Sequence, residues 1–98
     1  MSPECTVVAT FFAKPEKREE LRDLLIALVS PTRAEGGCVD YNLHVDEQDP
    51  NVFMFYENWR TAGDLEEHLL MPYLTHLRDN VDTLIARPIQ VVRYKKLS

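Results

Sequence analysis

Residues 6–13 and 52–59 of this 98-residue chain are apolar in both phases of an extended strand. Alternate side chains of a strand share one face of a sheet. In the first stretch Val7, Ala9 and Phe11 form one face and Val8, Thr10 and Phe12 the other. In the second, Val52, Met54 and Tyr56 oppose Phe53, Phe55 and Trp59. A sheet built from such strands needs cover on both sides, and helices supply it on one. An uncovered second face would expose an apolar patch of roughly several hundred Å2, which soluble monomers rarely carry. Two copies packed face to face about a two-fold axis remove it. The expectation is a homodimer joined through its sheet faces.

The remaining patterns supply the other elements. Pro15 suits the first position of a helix, Glu16, Glu19 and Glu20 complement its dipole, and Leu21, Leu24, Leu25 and Leu28 keep the i, i+3, i+4, i+7 spacing. Pro31 disturbs that helix and Gly36-Gly37 ends it. Val39, Tyr41, Leu43 and Val45 alternate with Asp40, Asn42, His44 and Asp46, the pattern of a half-buried strand. A polar turn with Pro50 returns the chain antiparallel through Val52–Trp59. Thr61 is placed to cap a second helix carrying Leu65, His68 and Leu69 on one face, which Pro72 kinks or restarts. Leu77, Val81 and Leu84 continue its apolar side, and residues 89–96 after Pro88 read as a last strand. The order β-α-β-β-α-β with right-handed crossovers puts both helices on one face. It predicts one α+β domain over residues 1–98, with a ferredoxin-like four-stranded antiparallel sheet.

Composition excludes several functions. The net charge of -5 and the lack of any basic stripe argue against nucleic acid as a partner. No apolar run approaches the ~18 residues of a membrane span. Met1-Ser2-Pro3-Glu4 lacks the basic and apolar regions of a signal peptide, so the cytoplasm is expected. There Cys5 and Cys38 are expected as free thiols. The chain holds no GxGxxG, GxxxxGK[ST], GxSxG or HExxH, and no cofactor or metal is expected. His76 follows His68 by eight residues with Pro72 between, a poor arrangement for a metal.

Chemistry is left to polar residues on apolar surfaces. His68 shares a helix face with leucines, and an imidazole exchanges protons near neutral pH. Glu57 shares a strand face with Phe53, Phe55 and Trp59, where a carboxylate needs either a shifted pKa or a partner such as Arg33, Arg60 or Arg93. The indole N–H of Trp59 needs an acceptor if buried. Tyr41, Tyr56, Tyr73 and Tyr94 can lend hydroxyls to a pocket or merely pack, and His44 lies on the polar phase of its strand.

Thr32-Arg-Ala-Glu-Gly-Gly-Cys38 followed by Tyr41 resembles the small–acidic–Gly-Cys-x-x-Tyr segment of the antibiotic biosynthesis monooxygenase family. Phe55-Tyr-Glu-Asn-Trp59 resembles that family's aromatic-x-Glu-x-Trp strand, and His68 within Leu65-Glu-Glu-His-Leu-Leu-Met-Pro-Tyr73 resembles its helix histidine. The resemblance runs in matching order over residues 7–94. It implies a dimeric α+β barrel and a cofactor-independent oxygenase of hydroquinones or phenols. Heme-degrading relatives use an Asn on the first strand and an aromatic on the second helix. Here that strand has no Asn and His68 takes the aromatic's place, so heme degradation is not implied.

An electron-rich phenol reacts with O2 once a base has removed its proton. His68 is the candidate base and Glu57 a candidate to orient it or the substrate. Phe53, Phe55, Trp59 and Tyr73 are candidate substrate contacts for a small aromatic molecule. Two other classes fit the same residues: a cofactor-free isomerase in the same pocket, and a non-catalytic dimeric ligand-binding or stress module.

Overall fold

The computed structural model describes residues 5–98, so the Met1–Glu4 segment read above lies outside it. β1 (Cys5–Phe12) leads through a 3-10 turn at Pro15–Lys17 into α1 (Arg18–Ile26). α2 (Val29–Arg33), β2 (Cys38–Val45), β3 (Val52–Trp59), α3 (Ala62–Leu69), α4 (Pro72–Asn80) and β4 (Gln90–Tyr94) follow. The strands form one antiparallel sheet in the order β2-β3-β1-β4, the ferredoxin-like arrangement expected from the sequence.

Both predicted helices are broken in two, the first at Ala27–Leu28, ahead of Pro31, and the second just before Pro72. Pro31 is the third residue of α2, where backbone N–H groups have no intrahelical acceptor to lose. Pro72 opens α4, where its missing N–H costs nothing. The apolar side still continues past α4, since Val81 and Leu84 are buried in the turns beyond Asn80.

Register sorts the sheet into cross-strand rows. Under the helices lie Tyr41–Glu57–Val7–Arg93 and Leu43–Phe55–Ala9–Val91. On the other face lie Asn42–Tyr56–Val8–Val92 and His44–Met54–Thr10–Gln90. The helix-side core gathers Val7, Phe11, Phe55 and Trp59 against Leu21, Leu25, Leu65, Leu74 and Leu77. In the single chain the opposite face leaves Tyr56, Val92 and Tyr94 exposed, and Val8, Phe12 and Met54 only partly covered.

One part of the β2 reading is corrected. A bulge between Cys38 and Asp40 takes Val39 out of the inward phase, and Val39 is 47% exposed. Val45, also read as inward, is exposed at the end of this edge strand. Cys5 and Cys38 are free thiols. They pair with Trp59 from opposite sides of β3, and two strand spacings of ~4.8 Å exceed the reach of a disulfide.

Candidate active site

Thr61 sets α3 on the sheet. Its hydroxyl accepts the Asp64 N–H at 3.1 Å, and Asp64 in turn accepts from the same hydroxyl at 3.0 Å. The helix places Leu65 and His68 inward, toward the end of β3 that carries Glu57 and Trp59. The preceding loop is pinned beside it, because the Arg60 N–H donates to the Gly37 carbonyl at 2.9 Å. Gly37 is required here by close approach: a Cβ on it would lie 2.2 Å from Cγ of Asp64. This packing brings Glu35, two residues earlier, under His68.

His68 is 2% exposed. Its Nδ1 lies 2.8 Å from Oε2 of Glu35, and the Tyr73 hydroxyl donates to the same oxygen. A carboxylate oxygen accepts, so the pairing assigns the proton to Nδ1 and leaves Nε2 with its lone pair. The ring is held in an aromatic box, with centroids 4.5 Å from Trp59, 5.6 Å from Tyr41 and 6.4 Å from Tyr73. Burial pushes the His68 pKa below its ordinary value, opposed by the hydrogen bond and charge of Glu35. The imidazole is therefore neutral and able to accept a proton near neutral pH.

Glu57 is 5% exposed, and none of the three candidate arginines pairs with it. Arg33 donates to the Tyr41 carbonyl and to Asn42, Arg60 faces Asp64 at 3.7 Å, and Arg93 donates to Glu66 at 3.2 Å. Its partner is the indole N–H of Trp59, which donates to Oε1 at 3.0 Å. Burial raises the Glu57 pKa to about 7; the Trp59 hydrogen bond opposes the rise and the Glu35 charge adds to it. Burial beside Glu57 likewise raises the Tyr41 hydroxyl well above its usual value.

A cavity of about 200 Å3 lies between the sheet and α3 and α4. Its lining is apolar, with Val7, Phe55, Leu65 and Leu77 among its walls. Glu57 and His68 line its buried end, and Arg78 and Arg93 its exposed end. Of the residues singled out from the sequence, Glu57, His68 and Phe55 share this cavity. Trp59 and Tyr73 do not line it: Trp59 donates to Glu57, and Tyr73 donates to Glu35, the partner of His68. Phe53 lies apart, beside Phe11 and Val45 at the far end of β3, where it lines a shallow depression with Leu43 and His44. His76 is exposed on α4 beside Asn80, away from His68. Among the described residues no group of three His, Cys, Asp or Glu side chains is placed to hold a metal.

Glu35, the acidic position of the Thr32–Cys38 segment, is a candidate functional residue that pattern and spacing alone do not reveal. Its link to His68 spans 33 residues and depends on how the loop packs against α3. Thr32, fully buried beside this network, has a hydroxyl with no hydrogen-bond partner among the described residues.

Residues 5–80 match the model of the antibiotic biosynthesis monooxygenase family. The chain belongs to this family. It is 36% identical over 91 residues to "Putative monooxygenase Rv0793" of Mycobacterium tuberculosis, covering 93% of this chain and 89% of that protein. The solved structure of Rv0793 superposes with a TM-score of 0.93, covering 97% of this chain and 96% of that one. PA3566 of Pseudomonas aeruginosa superposes at 0.95 with 34% identity, covering 100% of this chain and 98% of that one. An uncharacterized Synechocystis protein, sll1783, is 34% identical over 89 residues; the match covers 91% of this chain and only 60% of that relative's length. No helix among the described residues is long and apolar enough to cross a membrane.

Proposed function

We propose that this protein is a cofactor-independent monooxygenase that oxidises an electron-rich hydroquinone or phenol with O2, with His68 as general base. The observation that carries the reading is the Glu35–His68 pair at the buried end of an apolar cavity. Glu35 fixes the tautomer, Tyr73 fixes Glu35, and Nε2 is left to take the substrate's hydroxyl proton. The resulting phenolate gives one electron to O2, and the substrate radical and superoxide combine to form a bond between a ring carbon and oxygen. Loss of the proton on that carbon breaks the O–O bond and leaves a new carbonyl. The departing oxygen becomes water, taking the proton held by His68 and the one from the ring carbon. All four electrons come from the substrate, so no external reductant is needed.

Glu57, close to half-protonated near pH 7, is suited to relay the second proton. Apolar walls admit O2 and keep water from the intermediates. Phe55, stacked on Tyr41 at 4.5 Å, supplies an aromatic wall, and Trp59 holds Glu57 by its indole N–H. The protein acts as a homodimer in this reading. Its support is the apolar open face, where Tyr56, Val8 and Val92 form one row.

The test is oxygen uptake with small naphthohydroquinones, corrected for autoxidation, comparing the native protein with His68→Ala and His68→Gln. Both variants should lose ~10^2–10^4-fold in rate while staying folded. Full activity in His68→Ala would assign the base elsewhere, and a native rate no faster than the blank would remove the oxygenase reading for these substrates.

A further inference from the structure

We infer that the cavity selects an aromatic carboxylate, its ring inside and its anionic group held at the mouth by Arg78, with Arg93 in support. The inference rests on the reading of this cavity as the substrate site and adds the substrate's charge. In a chain of net charge -5, both cationic groups of the lining stand at the exposed end, and the only acidic lining residue is the buried Glu57.

Arg78 follows Leu74 and Leu77 on the cavity-facing side of α4. Its Nη2 donates to the Leu69 carbonyl at 3.0 Å and to the Thr75 hydroxyl at 3.4 Å. The last turn of α3 thus holds the guanidinium in place. Nε and Nη1 have no acceptor, and no carboxylate forms an ion pair with Arg78, among the described residues. An ordered guanidinium with free donors matches the two oxygens of a carboxylate. Arg93 sits two strands from Glu57 in the Tyr41–Glu57–Val7–Arg93 row and is engaged by Glu66 in an exposed pair. Such pairs are weak, so an incoming anion can displace Glu66.

The buried end excludes a charged substituent. A carboxylate there would lose its water without a cationic partner and would face Glu57. The anion is therefore confined to the mouth, which turns the opposite edge of the ring toward His68. At about 200 Å3 the cavity is smaller than the ~300–1,000 Å3 of drug-sized sites and suits one or two fused rings.

Calorimetric titration with 2-naphthoate and the neutral 2-naphthol at pH 7 tests this on the full chain. Naphthoate should bind about tenfold or more tightly than naphthol, the worth of one charge-assisted hydrogen bond. Added salt should weaken naphthoate alone. Arg78→Met should abolish the preference, Arg78→Lys should keep part of it, and Glu66→Gln, by freeing Arg93, should strengthen it. Equal binding of the two ligands, no binding of either, or an equal loss of both in a folded Arg78→Met would overturn the inference. Binding is read without turnover. An inactive protein that prefers naphthoate would defeat the oxygenase reading alone, and an active one without the preference would defeat this inference alone.

Discussion

Replacing Glu57 with Gln keeps an oxygen for the Trp59 N–H at 3.0 Å and removes the titration. The native carboxyl is raised from an ordinary 4.5 to about 7, chiefly by burial. Its folded pKa exceeds its unfolded one, so between these values the folded chain binds the extra proton and stability falls as pH rises. The contribution is fully present below about pH 4.5 and is lost by about pH 7. A shift of this size corresponds to at most about 3–4 kcal/mol at ~1.4 kcal/mol per unit. Glu57 is 5% exposed, so solvent screening removes little of this. Relative to native, Glu57→Gln should gain stability steadily from pH 4.5 to 7 and level off above, by about 10 °C or more in Tm. Trp59 is the only tryptophan and touches this carboxyl, so its fluorescence follows unfolding at matched protein concentrations. A native-minus-variant difference that does not change with pH would refute the burial argument.

Three further outcomes are expected. Light scattering should give about twice the 11.4 kDa chain mass, and Tyr56→Glu with Val8→Lys on the open face should give a folded monomer; a monomeric native protein would remove the dimer. Glu35→Gln should cut the rate at least about tenfold and move the acidic limb of the pH–rate profile downward, because Glu35 holds the His68 pKa up; an unmoved limb would make Glu35 merely structural. Gly37→Ala should cost about 1–3 kcal/mol, read as a lower Tm, because its methyl collides with Asp64 and disturbs the α3 cap; an unchanged Tm would show that the loop gives way freely.

What was legible in the sequence follows from what a short pattern can encode. β3 was read to the residue because its phases and length lie in eight consecutive positions. Thr61 was legible as a cap because capping chemistry is local. The face of Glu57 was legible too, but its partner was not, since Trp59 lies two residues along the same face while the arginines go to other acceptors. Phase gives a residue's face and not its place along the strand. Phe53 shares a face with Trp59, yet six residues of strand separate them by ~20 Å. The bulge that turns Val39 outward leaves no mark in an alternating pattern. Glu35 is the largest omission, because a contact across 33 residues depends on a packed loop. The acidic residue before Gly36-Gly37 was its only local sign.

Turnover of a naphthohydroquinone carboxylate under isotopically labelled O2 tests the central claim most directly, with mass spectrometry corrected for exchange with water. The cavity chemistry predicts one labelled oxygen in the quinone product and the other in water, without accumulating peroxide, at a rate that His68→Ala abolishes. Unlabelled product with stoichiometric hydrogen peroxide would contradict it.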